Sequence, residues 1–230
     1  MKINGFQKMT LLDFPGRVAA TLFLGGCNLR CPFCHNASLV LPEASREEYT
    51  ETEILTYLSR RKGLLDGVCV TGGEPLLRAE LPDFLRKIRE MGYAVKLDTN
   101  GTLPDRLAAL CDEGLVDYVA MDVKNAIPRY AETVGIADFD TATVEKSMDL
   151  LLSGRVDYEF RTTVVKEFHT LDSIRTLAAR IRGAKRYFLQ SFVDSGDLLC
   201  TGLSAVSKET LIAMRDAARE LVPSTETRGV

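Results

Sequence analysis

From residue 67 onward the chain repeats one pattern: a short run of β-branched and apolar residues, a loop of Gly or Asp, then a segment with apolar residues at helical spacing. The runs cover 67–71, 94–98, 118–123, 158–165 and 187–191, and the helical segments 81–91, 103–113, 144–152, 171–181 and 208–221. An earlier run, 18–24, is continuously apolar and of strand length, as expected for a strand covered on both faces. Counting it, the chain holds six β-α units. Strands that alternate with helices pair in parallel through right-handed crossovers, so the class is α/β. Periodicity alone leaves two architectures open, a doubly wound open sheet and part of a barrel.

The remaining segments fit around this repeat. Residues 1–14 alternate poorly and end in the turn Asp13-Phe14-Pro15-Gly16, so 1–16 reads as a short β-ribbon or lid, 17–222 as the core and 223–230 as a tail. Ser45 is placed to cap a helix whose apolar face is Ile54, Leu55 and Leu58 and which runs to about Lys62. A chain of 230 residues can bury roughly 70–75% of its unfolded surface in one core, and we read a single domain. With 46% hydrophobic and 27% charged residues it is of ordinary globular composition. The net charge of −3 offers no footprint for nucleic acid. No apolar run approaches the ~20 residues of a membrane helix, and Met1 to Lys8 lacks the apolar centre of a signal peptide. The expected compartment is the cytoplasm, where thiols stay reduced and clustered cysteines point to metal or catalysis.

Three of the six cysteines, Cys27, Cys31 and Cys34, fall within eight residues, just beyond the first strand and the flexible pair Gly25-Gly26. Thiolates at spacings of four and three can hold three corners of an iron-sulfur cube and leave the fourth iron free for another ligand. Other readings use fewer of them. Cys31-Pro32-Phe33-Cys34-His35 matches a c-type haem attachment site, but haem needs an exported chain and leaves Cys27 idle. A zinc site lacks a fourth ligand at a recognisable spacing, and a redox pair of Cys31 and Cys34 again strands Cys27. Cys69, Cys111 and Cys200 are scattered and read as packing or free thiols.

The pattern C-x-x-x-C-x-aromatic-C after a strand resembles the cluster loop of the radical S-adenosylmethionine (radical SAM) enzymes. The wider match from Gly5 to Asn36, which includes His35-Asn36, is similar to the activating enzymes of glycyl-radical proteins, above all those of anaerobic ribonucleoside-triphosphate reductase. The resemblance implies a partial (β/α)6 TIM-like barrel, open at one side, with reactive groups at the C-terminal ends of the strands. It also implies one 4Fe-4S cluster on the three cysteines, with SAM at the open iron.

The strand ends carry further matches. Thr71-Gly72-Gly73-Glu74-Pro75 is similar to the family's G-G-E-P, which implies that Gly72, Gly73 and Glu74 meet the SAM amino group; a plain turn with Glu74 in solvent is the alternative. Asp98-Thr99-Asn100-Gly101 and Asp122-Val123-Lys124 resemble segments of the pyruvate formate-lyase activating enzymes, implying SAM contacts from Asp98 and Lys124. In that group they also imply a monovalent cation near Asp98, Thr99, Asp122 and the carbonyl of Ala120, whereas an Asp-Lys pair would explain them without a ligand. Arg161 in mid-strand needs an anion, either the SAM carboxylate or an acidic neighbour. Phe33 matches the aromatic of the family's cluster motif, which implies that it lies against the adenine, and Gln190 on the last strand could bond the cofactor. No His lies near residue 190, where the pyruvate formate-lyase activating enzymes carry one. His169 reads as a surface or loop-capping residue.

The reaction implied is reductive cleavage of SAM to methionine and a 5′-deoxyadenosyl radical that takes a hydrogen atom from a glycine of a partner protein, with no general base. One cluster implies an external electron donor, a flavodoxin or ferredoxin. Activation of pyruvate formate-lyase or another glycyl-radical enzyme, action on a small molecule such as a deazapurine precursor, and simple electron carriage are the alternatives.

Overall fold

A computed structural model describes residues 1–41 and 48–229. The chain begins with β1 (Lys2–Ile3) and β2 (Gly5–Thr10), and β2 lies antiparallel to β3 (Ala19–Leu24). After the cysteine loop come the short α1 (Ala37–Val40), then β4 (Tyr49–Thr50), which pairs antiparallel with β1, and α2 (Glu51–Ser59). The repeat follows as β5 (Gly67–Gly72), α3 (Leu81–Glu90), β6 (Ala94–Thr99), α4 (Pro104–Asp112) and β7 (Tyr118–Asp122). It continues with α5 (Tyr130–Val134), α6 (Thr141–Leu152), β8 (Asp157–Val164), α7 (Leu171–Arg180), β9 (Tyr187–Ser191), α8 (Lys208–Arg219) and β10 (Thr225–Arg228). Among the described residues no helix is long and apolar enough to cross a membrane.

Sheet order decides between the two architectures. The strands run β10-β9-β8-β7-β6-β5-β3-β2, every neighbour parallel except β2. A doubly wound sheet would reverse direction partway; here each new strand is added on the same side. Right-handed crossovers then place the longer helices, α2, α3, α4, α6, α7 and α8, on one face, and the other face curls inward. β2 and β10 end the sheet without pairing with each other, so the barrel is partial.

The two faces differ in chemistry because side chains alternate across a strand. Leu22, Val70, Leu97, Met121 and Phe160 pack with Ile54, Phe84, Leu107, Val144 and Ile174 of the helices in one large core. A separate small cluster, Phe14, Ala19, Tyr118 and Ala120, fills the base of the barrel. Above it the same inward alternation carries Cys69, Thr71, Lys96, Asp98, Asp122 and Arg161 toward the cysteine end. Run 18–24 is covered on both faces as expected, but its inner face includes Thr21, whose hydroxyl donates to Asp13 at 2.5 Å.

Two boundaries differ from expectation, and one left open is decided. The N-terminal segment is a ribbon rather than a lid: β2 edges the sheet, and Phe14 plugs the end opposite the cysteines. Ser45 lies outside the described residues; α2 is capped by Thr50, whose hydroxyl accepts from Glu53 N at 3.2 Å while Glu53 accepts from Thr50 N at 2.7 Å, and it ends at Ser59. The stretch expected as a tail supplies a seventh parallel strand, β10. Its sequence, Thr-Glu-Thr-Arg, has no apolar pattern to announce it. It is held by Arg228, which donates twice to the buried Glu159 at 2.8 and 2.9 Å and lies over the Phe188 ring.

Candidate cofactor site

The cysteine loop is fixed by its neighbours rather than by its own pattern. Arg30 N donates to Val134 O at 3.0 Å, Gly26 N to Leu39 O at 2.7 Å, and Cys200 N to Pro32 O at 3.0 Å. Cys27, Cys31 and Cys34 open on one cavity, which they share with Phe33, Thr71, Gly72, Gly73, Asp98, Thr99, Asn100, Asp122, Lys124 and Thr163. Burial raises the Cys27 thiol and pushes Cys31 up to about 12, so both favour the protonated thiol in the metal-free chain, and a bound metal would draw off these protons. His35, the nearest candidate for a fourth ligand, is engaged elsewhere: Nε2 lies 2.8 Å from Val193 O and the ring stacks on Phe192. Among the described residues no three His, Cys, Asp or Glu side chains close around a single ion. Three sulfur donors opening on one cavity, with the neighbouring imidazole bonded to Val193 O, fit a cluster with one open iron. They do not fit a four-ligand zinc site.

The turn after β5 meets this loop backbone to backbone. Gly73 N donates to Leu24 O at 2.8 Å and Glu74 N to Gly26 O at 2.9 Å. A Cβ on Gly73 would stand 2.0 Å from Gly26 O, and Gly72, at φ +120°, could not carry one without meeting Leu24. Both glycines line the cavity; Glu74 does not. Its carboxylate, expected to reach a ligand amino group, is fully buried and accepts from Leu76 N at 3.0 Å, Thr99 Oγ1 at 2.9 Å and Asn100 N at 2.7 Å. It ties the β5 and β6 turns together from behind the wall. Burial pushes this carboxyl up to about 7 against the pull of those donors.

Across β6, β7 and β8 runs a chain of alternating charges. Lys96 Nζ bonds Asp98 Oδ1; Asp98 Oδ2 accepts from Arg161 Nη1 at 3.1 Å; Arg161 Nε donates to Asp122 Oδ1 at 2.9 Å; and Lys124 Nζ donates to Asp122 Oδ2 at 3.0 Å. Despite their burial, the neighbouring cations hold the Asp98 and Asp122 carboxyls below the usual range, and Asp122 holds the Lys124 ammonium well above its own. Asp98, Asp122 and Lys124 border the cavity, while Arg161 stands behind them, paired with two acidic neighbours. Of the groups expected around a monovalent cation, Asp98, Thr99, Asp122 and Ala120 O, the three side chains meet protein partners here. The carboxylates face Lys96, Arg161 and Lys124, and the Thr99 hydroxyl is given to Glu74. Gln190 pairs with Thr163 in register but does not border the cavity, whereas Thr163 does.

Phe33 is buried at the cavity wall, 5.7 Å from the Phe168 ring and 6.4 Å from His169. His169 caps a loop: Nδ1 accepts from Val165 N at 3.0 Å, so the proton sits on Nε2, which donates to Lys124 O at 2.8 Å. Burial lowers its pKa. Sequence reasoning passed over two residues. Asn100 Nδ2 reaches Asn28 Oδ1 at 3.0 Å and the Cys27 sulfur at 3.7 Å, binding the β6 turn to the loop. Lys96 lies two residues before Asp98, and a strand places residues so spaced on one face; that spacing was the available signal.

A partial barrel with three thiols at its mouth defines a class of protein. The model of the radical SAM superfamily matches residues 21–178, and the chain belongs to that superfamily. Within it, the chain falls among the glycyl-radical enzyme activating enzymes, which use a 4Fe-4S cluster and S-adenosylmethionine. It is 32% identical over 195 residues, 83% of its length and 79% of the relative's, to a Methanocaldococcus jannaschii protein provisionally assigned as such an enzyme. It is 30% identical over 152 residues to pyruvate formate-lyase 1-activating enzyme of Escherichia coli, covering 63% of this chain and 61% of that one. Among solved structures, Streptococcus suis SuiB bound to its precursor peptide SuiA shares the fold, at a TM-score of 0.72 and 14% identity over 91% of this chain and 48% of that one.

Proposed function

We propose that this chain generates a glycyl radical on a partner enzyme, anaerobic ribonucleoside-triphosphate reductase in the first instance, using an electron from a flavodoxin or ferredoxin. The observation that carries the reading is the meeting of three thiols with the Gly72-Gly73 backbone and the Asp98–Lys124 charges at one cavity. When bound, the cluster and SAM together supply a 5′-deoxyadenosyl radical, and its hydrogen-atom abstraction needs no protein base. The residues have three tasks. Cys27, Cys31 and Cys34 hold the cluster. The backbone of Gly72 and Gly73, which lets the β5 turn approach the loop, faces the methionyl amino group, and Lys124 and Asp98 orient the methionyl end. Phe33 walls the adenine side and keeps water from the reacting carbon. Arg161 acts from behind through Asp98 and Asp122.

Anaerobic incubation of the reconstituted protein with SAM, a reductant and a candidate partner tests this by electron paramagnetic resonance. A glycyl doublet on the reductase is expected. A doublet on pyruvate formate-lyase alone would change the partner. No doublet on any glycyl-radical enzyme would remove the activase reading while leaving SAM cleavage possible.

A further inference from the structure

Lys96 is 2% exposed in mid-β6, and it does not border the cavity. Its ammonium meets two groups, Asp98 Oδ1 and the Cys69 sulfur at 3.6 Å. A buried lysine is costly, and its pairing with one carboxylate would be satisfied equally by an apolar pair. Its place in the charge chain gives it a purpose. Asp98 and Asp122 carry two negative charges, which Arg161 and Lys124 already balance. Counting these five side chains alone, Lys96 adds one positive charge; Asp13, which accepts from the Thr21 hydroxyl, is a further acid near Cys69. The members of the chain that border the cavity are Asp98, Asp122 and Lys124, so a charge added behind Asp98 is felt there.

We propose that Lys96 is a positioning residue that sets the cavity's preference for a ligand bearing a carboxylate. Its charge engages Asp98 from behind, so that Arg161 is not fully consumed by the two aspartates and Lys124 keeps attraction to spare for a carboxylate in the cavity. Resting as it does on the SAM reading, the proposal takes that carboxylate to be the methionyl one. Cys69 sits beside the pair, its thiol 3.8 Å from Asp98, and burial keeps it neutral, so it does not offset the added charge.

The test is a ligand cycle. Binding of SAM and of its decarboxylated analogue is measured by calorimetry on the cluster-loaded protein, for the natural chain and for Lys96→Met, which keeps the side-chain length without the charge. The natural chain is expected to prefer SAM over the analogue by at least tenfold, and K96M to lose most of that preference through weaker SAM binding, with analogue binding little changed. A merely structural role would weaken both ligands alike, and that result, or an unchanged preference, would overturn the proposal. If K96M does not fold, Lys96→Gln, which can still hydrogen-bond Asp98, replaces it under the same criteria. Failure of the natural chain to bind SAM at all would instead count against the radical SAM chemistry proposed above.

Discussion

Single residues in this protein divide by which way they face. Glu74 shows how much that matters: its motif position matches a ligand-contacting turn, yet its carboxylate spends its acceptors on Leu76, Thr99 and Asn100. Its protonated form is favoured in the fold, because burial raises the group from 4.5 to about 7. The stability gained is therefore complete below the unfolded carboxyl range and is lost as pH rises through about 7. Glu74→Gln does not titrate, so the unfolding free energy of the natural chain should fall relative to E74Q by on the order of 3 kcal/mol between pH 5 and 8. Urea denaturation at the two pH values measures it, and a difference that stays flat would mean that the three donors keep Glu74 ionised throughout. What sequence could reveal at this scale was residue type and motif, which found the cysteines, the glycines and Asp98. Orientation escaped it, since a carboxylate after two glycines reads the same whether it faces ligand or wall. Lys96 escaped for the related reason that its partner, two residues on, had already been assigned to a ligand.

At the scale of elements, the site exists because separate turns are held at backbone distance. Gly73→Ala should force the β5 turn and the cysteine loop apart, since the added carbon would lie 2.0 Å from Gly26 O, a backbone atom. We expect a loss of about 1–3 kcal/mol in denaturation, with less iron retained after reconstitution, because the three thiols no longer share one wall. The strand β10 makes a second prediction. Arg228→Ala would leave Glu159, 1% exposed, with the Tyr118 hydroxyl at 2.9 Å as its one hydrogen-bond partner among the described residues. A cost of about 3 kcal/mol is expected, and pairing the change with Glu159→Gln should return much of it; equal loss in the single and double variants would contradict this reading. The helices and the six internal strands were legible because apolar residues recur with periods of 3.6 and 2. β10 was not, because it carries no apolar alternation and the arginine that fastens it bonds Glu159 two strands away. Thr50 was likewise overlooked as a cap in favour of Ser45, although Glu53 three residues on completes the capping box.

For the whole molecule, the repeat of six units left open whether the sheet was doubly wound or barrel-like, and the unbroken sequential order of β3 and β5 to β9 decides it. That order gathers the ends of β3, β5, β6, β7 and β8 around one mouth, which is why residues as far apart as Cys27 and Thr163 border the same cavity. The base is closed by Phe14 and Tyr118, so a ligand enters from the cysteine side or from the gap beside β10. The claim on which everything else stands is that three thiolates leave one iron open for SAM. It is tested most directly by anaerobic reconstitution with iron and sulfide, followed by SAM and dithionite, with iron and 5′-deoxyadenosine both counted. About four irons per chain and steady release of 5′-deoxyadenosine are expected from the natural protein and from Cys111→Ser, with none released by Cys27→Ala, Cys31→Ala or Cys34→Ala. A protein that holds its cluster but releases no 5′-deoxyadenosine, or one that still releases it after any of those three replacements, would contradict the claim.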